Sequence, residues 1–136
     1  MNWTRDKYLP NSPEEWLKHA LSDLRYAKLG IEPDNILSQQ ICFHAQQAVE
    51  KSLKAILLFS NVDFPLTYDI YQLIDILKIS GITLPSDFED AGILTPYAVE
   101  TRYPGYMTEI TKQEVEKAIE LAETITLWTK AYITDK

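Results

Sequence analysis

Five polar side chains recur along one stretch of the sequence: Gln40, His44, Gln47, Lys51 and Lys54. Their steps of four, three, four and three place all of them on one face of an α-helix. A solvated helix face usually mixes Glu with Lys. This one carries amide, imidazole and ammonium groups, all able to donate hydrogen bonds when His44 is protonated or suitably tautomeric. Such a row suits a phosphate, a nucleobase edge or a carboxylate. The same spacing also suits a plain solvated stripe or one facing a second subunit. A single histidine such as His44 is more often structural than catalytic, so the spacing leaves these alternatives open.

Other chemistries have less material. Cys42 is the sole cysteine, which excludes an internal disulfide framework and a cysteine-based zinc site. His19 and His44 are too few for most histidine-built metal centres, and neither a metal nor a cofactor is implied. Lys and Arg number 13 against 20 Asp and Glu, a formal net charge of −7. That balance argues against broad binding to nucleic acid or anionic lipid, while leaving room for a small basic pocket. The longest apolar run, Ala55 to Phe59, is far short of a membrane span, and no apolar segment follows the charges of the N-terminus. A soluble cytoplasmic protein without membrane association is expected.

The elements that must position the stripe are helical. At 136 residues, 46% hydrophobic, the chain suits one globular domain over 1–136, with its helical core over about 14–129. Four glycines are poor provision for an all-β fold. Ser12-Pro13-Glu14-Glu15 forms a capping box with proline at the first helical position, followed by an apolar stripe of Leu17, Ala20, Leu21, Leu24 and Ala27 that Gly30 ends. The second helix, from about Ile36 to about Ser60, carries the polar stripe opposite Ile41, Ala45, Ala48, Val49, Leu53, Ile56 and Leu57. Thr67 is the expected cap of a third helix, with Asp69 in its first turn and Ile70, Leu73, Ile74 and Leu77 buried. Ser86 to Glu89 reads as a second capping box, opening a helix with Phe88, Ala91, Leu94 and Ala98 that Pro96 must kink or split. Thr111 to Glu114 reads as a third, opening a final helix through Val115, Ala118, Ile119, Ala122, Ile125, Trp128 and Tyr132. No strand pattern is present. Short connections favour antiparallel neighbours, hence an all-α, up-and-down bundle of about five helices.

The segment Cys42-Phe43-His44-Ala45-Gln46-Gln47-Ala48-Val49-Glu50-Lys51-Ser52-Leu53-Lys54-Ala55 closely resembles the characteristic helix of HEPN (higher eukaryotes and prokaryotes nucleotide-binding) domains. Three shorter segments fit in the same order. Trp16 to Leu24 resembles the opening Trp/Leu-x-x-Ala-x-x-Asp-Leu pattern, Pro65 to Ile70 the Pro-x-Thr-His-Asp-Leu segment, and Thr101 to Gly105 the Arg-Tyr-Pro turn. The resemblance implies a helical bundle, commonly a homodimer, often encoded beside a minimal nucleotidyltransferase. In many branches the pair resembles a toxin–antitoxin system whose HEPN member is a metal-independent ribonuclease. That class uses an Arg and, after a short spacer, a His at the dimer interface: the imidazole moves protons at the ribose hydroxyl and the guanidinium steadies the phosphorane.

The sequence departs from that pattern. Arg102 is present, but no histidine follows it, and the family's histidine before Asp69 is Tyr68. Tyrosine, with a pKa of about 10, is a poor base. His44 approaching Arg102 in a dimer would be one substitute. Tyr106 lies where some HEPN toxins are nucleotidylated by their partner. The resemblance adds Asp69, Arg102 and Tyr103 to His44, Gln47, Lys51 and Lys54 as candidate ligand-binding residues, with Arg102 catalytic only in a ribonuclease. Asp69 also suits a helix N-terminus and Arg102 a helix C-terminus. The leading expectation is a non-catalytic module, a homodimer that partners a minimal nucleotidyltransferase and binds a nucleotide. The alternatives are a ribonuclease acting on RNA through a degenerate site, and a purely structural helical dimer.

Overall fold

The computed structural model describes residues 12–100 and 109–134. Its elements are α1 (Pro13–Leu29), α2 (Ser38–Phe59), α3 (Ile70–Ile79), a 3-10 helix (Ser86–Leu94), α4 (Tyr97–Glu100) and α5 (Lys112–Thr134). Among the described residues there is no strand, and the architecture is an all-α bundle.

Local chemistry sets most boundaries. Ser12 caps α1, its Oγ accepting from the Glu15 amide at 3.1 Å. At α5 the capping box is reciprocal: Thr111 Oγ1 accepts from the Glu114 amide at 3.1 Å, and Glu114 Oε1 accepts from the Thr111 amide at 3.2 Å. Helices α2 and α3 end alike. The Val62 and Ile82 amides reach back to the carbonyls of Leu57 and Leu77, at 2.9 and 3.0 Å, with Asn61 (φ 58°) and Gly81 (φ 85°) left-handed between.

Three expected starts are corrected. The cap of α3 is Asp69, not Thr67: Asp69 Oδ1 accepts from the amides of Tyr71 and Gln72 at 3.0 and 3.4 Å, while Thr67 Oγ1 only accepts from the Asp69 amide. The carboxylate reaches two orphan donors of the first turn, whereas the threonine serves the residue before it. The Ser86–Glu89 box does not form. Pro85 is the capping residue without a side-chain bond, Ser86 already lies inside the 3-10 turn, and Glu89 instead meets Lys78. Helix α2 begins at Ser38, two residues later than Ile36, behind Leu37, which has no side chain to cap with. The split at Pro96 occurs as expected, between Leu94 and Tyr97.

Helix α2 is the centre of the bundle. It packs on α1 and α5 and also touches α3, α4 and the 3-10 helix. Matched contacts give the directions. Gly30 lies by Ile41, Tyr26 by His44 and Trp16 by Lys54, so α1 and α2 are antiparallel. Ser52 meets Thr126 and Phe59 meets Tyr132, so α5 runs the same way as α2, with the intervening helical segments returning the chain. Ala45, Val49, Leu53, Ile56 and Leu57 are fully buried. Phe88 fixes the 3-10 helix on α5, edge-on to Trp128 with centroids 5.2 Å apart.

Candidate functional site

Gln40, at the start of the polar stripe of α2, is exposed, but both lysines of the stripe are paired with a carboxylate. Helix α1 brings Asp23 against the stripe from the antiparallel side. Asp23 Oδ1 lies 2.9 Å from His44 Nδ1 and Oδ2 lies 2.6 Å from Lys51 Nζ. The aspartate is itself buried, while His44 and Lys51 are half-buried. A carboxylate only accepts, so Nδ1 carries the hydrogen, and Nε2 has no hydrogen-bond partner among the described residues. Tyr26 stacks on that imidazole with centroids 5.1 Å apart and an interplanar angle of 20°.

One turn further, Lys54 Nζ donates to Glu50 Oε2 at 3.0 Å and lies 5.3 Å above the Trp16 ring centre. Both partners of this pair are buried. Gln46, fully buried, donates to Glu50 Oε1 at 3.2 Å and to the Tyr68 carbonyl at 3.3 Å, and accepts from Gln47 Nε2 at 2.7 Å. Buried ion pairs hold only when their remaining polar atoms are satisfied, and the amide chain satisfies them. Two lysines facing two carboxylates leave the cluster without net charge while His44 is neutral. This arrangement can hydrogen-bond an uncharged group, but it offers a phosphate no surplus cation.

Two hollows open beside the cluster. One, of about 280 Å3, is bordered by Gln47, Glu50, Lys54, Thr67 and Tyr68. The other, of about 480 Å3, lies where the end of α1 meets the start of α2, bordered by Tyr26, Leu29, Ile36, Leu37 and His44.

The structure therefore gathers His44, Gln47, Lys51 and Lys54 along one face of α2 and sets Asp69 apart, at the start of α3, where its carboxylate caps the helix. Arg102, Tyr103 and Tyr106 lie outside the described residues, as does any approach of His44 to Arg102. Sequence reasoning missed Asp23, Glu50 and Gln46 as the partners that organise the stripe. A signal was there for Asp23. It follows Trp16 and Ala20 and precedes Ala27 in steps of four, three and four, an acid on the buried face of α1. Among the described residues, no group of three His, Cys, Asp or Glu side chains is placed to hold a metal ion, and no helix is long and apolar enough to cross a membrane.

Two solved structures share the architecture. ST0689, an archaeal HEPN homologue, aligns over 92% of this chain and 100% of its own at a TM-score of 0.70 and 24% identity. TT1696 from Thermus thermophilus aligns over 89% and 98% at a TM-score of 0.69 and 29% identity. No curated protein matches. The model of the HEPN domain matches residues 13–132, and that span takes in α1, α2 and nearly all of α5. The chain belongs to the HEPN domain family.

Proposed function

We propose that this chain is a non-catalytic HEPN module, a homodimer that partners a minimal nucleotidyltransferase in a pair of the toxin–antitoxin kind and binds a nucleotide beside α2. The observation that carries the reading is the charge compensation of the stripe. Lys51 is held by Asp23 and Lys54 by Glu50, so neither ammonium is free to steady a developing phosphorane. What remains available is neutral hydrogen-bonding capacity, at the Gln47 amide and His44 Nε2, which suits recognition more than phosphoryl chemistry. Tyr71, Ile79 and Ile93, each more than half exposed, add apolar surface of the kind that protein partners cover.

The test is co-expression with a minimal nucleotidyltransferase, sizing by light scattering, and incubation of the purified chain with labelled RNA in chelator. A stable complex containing two copies of this chain, and intact RNA, are expected. Cleavage in chelator that Arg102→Ala abolishes would replace this reading with the ribonuclease. One feature favours that second reading: a histidine fixed by a carboxylate through Nδ1, as Asp23 fixes His44, is the usual arrangement of a general base.

A further inference from the structure

The 480 Å3 groove at the α1–α2 junction has a composition unlike the rest of the molecule. Charged residues make up 24% of the chain, yet among the described residues no Lys, Arg, Asp or Glu borders the groove. Its walls are Tyr26, Leu29, Ile36, Leu37 and Ile41, and its polar groups are Asn35, Gln40 and His44. An anion entering it would lose hydration without meeting a counter-charge. An uncharged planar ring would meet an aromatic face, aliphatic walls and a few polar edges, the usual make-up of a small-molecule site of this volume.

His44 gives the groove its direction. Asp23 takes the Nδ1 hydrogen at 2.9 Å, and Nε2 has no protein partner among the described residues. While the ring is neutral, Nε2 is an acceptor held at a fixed angle by the carboxylate behind it and by Tyr26 stacked on its face. The preferred ligand therefore donates a hydrogen bond from its own ring edge. The side-chain amides of Asn35 and Gln40 each add a donor and an acceptor on the same border.

We infer that the groove is a binding site for an uncharged, amino-bearing nitrogen heterocycle, a nucleobase or nucleoside in chemical class, whose N–H donates to His44 Nε2 while its ring lies along Tyr26. Asp23 is the positioning residue. The inference deepens the nucleotide-binding part of the proposed function and rests on it, adding that the base is gripped here and that the phosphates gain nothing from the groove.

The experiment is calorimetric titration of the full chain with adenosine, ATP and inorganic tripolyphosphate, repeated with Tyr26→Ala, His44→Ala and Leu37→Asp after circular dichroism shows each variant folded. Saturable adenosine binding is expected, with ATP within about threefold of it and no tripolyphosphate binding. Tyr26→Ala and His44→Ala should each weaken adenosine tenfold or more. Because His44→Ala also removes a bond to Asp23, Asp23→Asn is the companion variant: it keeps the side-chain shape and should weaken adenosine without loss of helicity. Binding of ATP but not adenosine, unchanged in Tyr26→Ala, would overturn the groove while leaving nucleotide binding intact elsewhere. Binding of none of the probes would overturn both. A dimer that Leu37→Asp converts to monomer, with no adenosine bound before or after, would show that a second copy occupies the groove and would likewise overturn the inference.

Discussion

Replacing Asp23 by alanine tests the organisation of the α1–α2 pair directly. The carboxylate accepts two bonds, from His44 at 2.9 Å and Lys51 at 2.6 Å, and its side chain is only 11% exposed. A hydrogen bond to a charged group contributes about 1.5–3 kcal/mol, and two sharing one acceptor are less than additive. The orphaned partners are 32% and 22% exposed, so water recovers part of the loss. A destabilisation of about 2–4 kcal/mol follows. For 136 residues, an unfolding entropy of about 2.1 cal/mol/K per residue makes 1 kcal/mol worth about 3.5 °C. Asp23→Ala should therefore melt roughly 7–14 °C below the parent, read by circular dichroism at 222 nm. Lys78→Ala, which removes an exposed pair with Glu89, should melt within about 3 °C of it. A double-mutant cycle with Lys51→Met should return a coupling of about 1 kcal/mol or more. A drop of less than about 3 °C together with no coupling would refute the claim that Asp23 holds the stripe.

Three further outcomes are expected. Phe88→Ala, at a site 1% exposed against Trp128, should cost about 3–5 kcal/mol in urea unfolding and loosen the 3-10 helix from α5. Gly30→Ala should cost about 1–3 kcal/mol despite an ordinary helical φ of −68°, because its new methyl would stand 2.8 Å from Ile41 Cγ1; equal or greater stability would show that Ile41 moves freely. Burial is the largest influence on the Cys42 thiol and pushes it up from 9.0 to about 11, with Glu114 adding to the rise and a hydrogen bond with Tyr97 opposing it. The unfolded chain then releases that proton first, so stability is full below pH 9.0 and declines as pH rises towards about 11. Cys42→Ala should flatten that alkaline decline, and the native thiol should resist maleimide at pH 7.

How much of this was legible in the sequence depended on whether a residue's partner was near in the chain. The apolar faces of α2 and α5 follow from spacing alone, and Ile70, Leu73, Ile74 and Leu77 are buried as their period demands. The Thr111–Glu114 box closes because both members lie in one turn. The identical pattern at Ser86–Glu89 failed because Pro85 carried the chain directly into a 3-10 turn, which puts Ser86 in the wrong conformation to cap. The site was half legible. His44, Gln47, Lys51 and Lys54 declare a face, but its character depends on Asp23, 21 and 28 positions from His44 and Lys51, and on Glu50. The spacing of four between Glu50 and Lys54 was the one legible pairing, and it was passed over. Helical periodicity describes one helix at a time, so it could not say that a row of donors would be neutralised from the neighbouring one.

The parallel run of α2 and α5 bears on how the chain is made. Ser52 and Thr126, 74 positions apart, share a buried hydrogen bond of 3.3 Å. During synthesis α1 and α2 emerge early and can close on each other as a local hairpin, yet the other flank of α2 has no cover until α5 follows. Ala55, Ile56 and neighbouring side chains, fully buried in the finished bundle, are the surface at risk through that interval. A ribosome-bound chain stalled before Lys112 would be a ligand for a holdase chaperone, and release of the last helix would end that dependence.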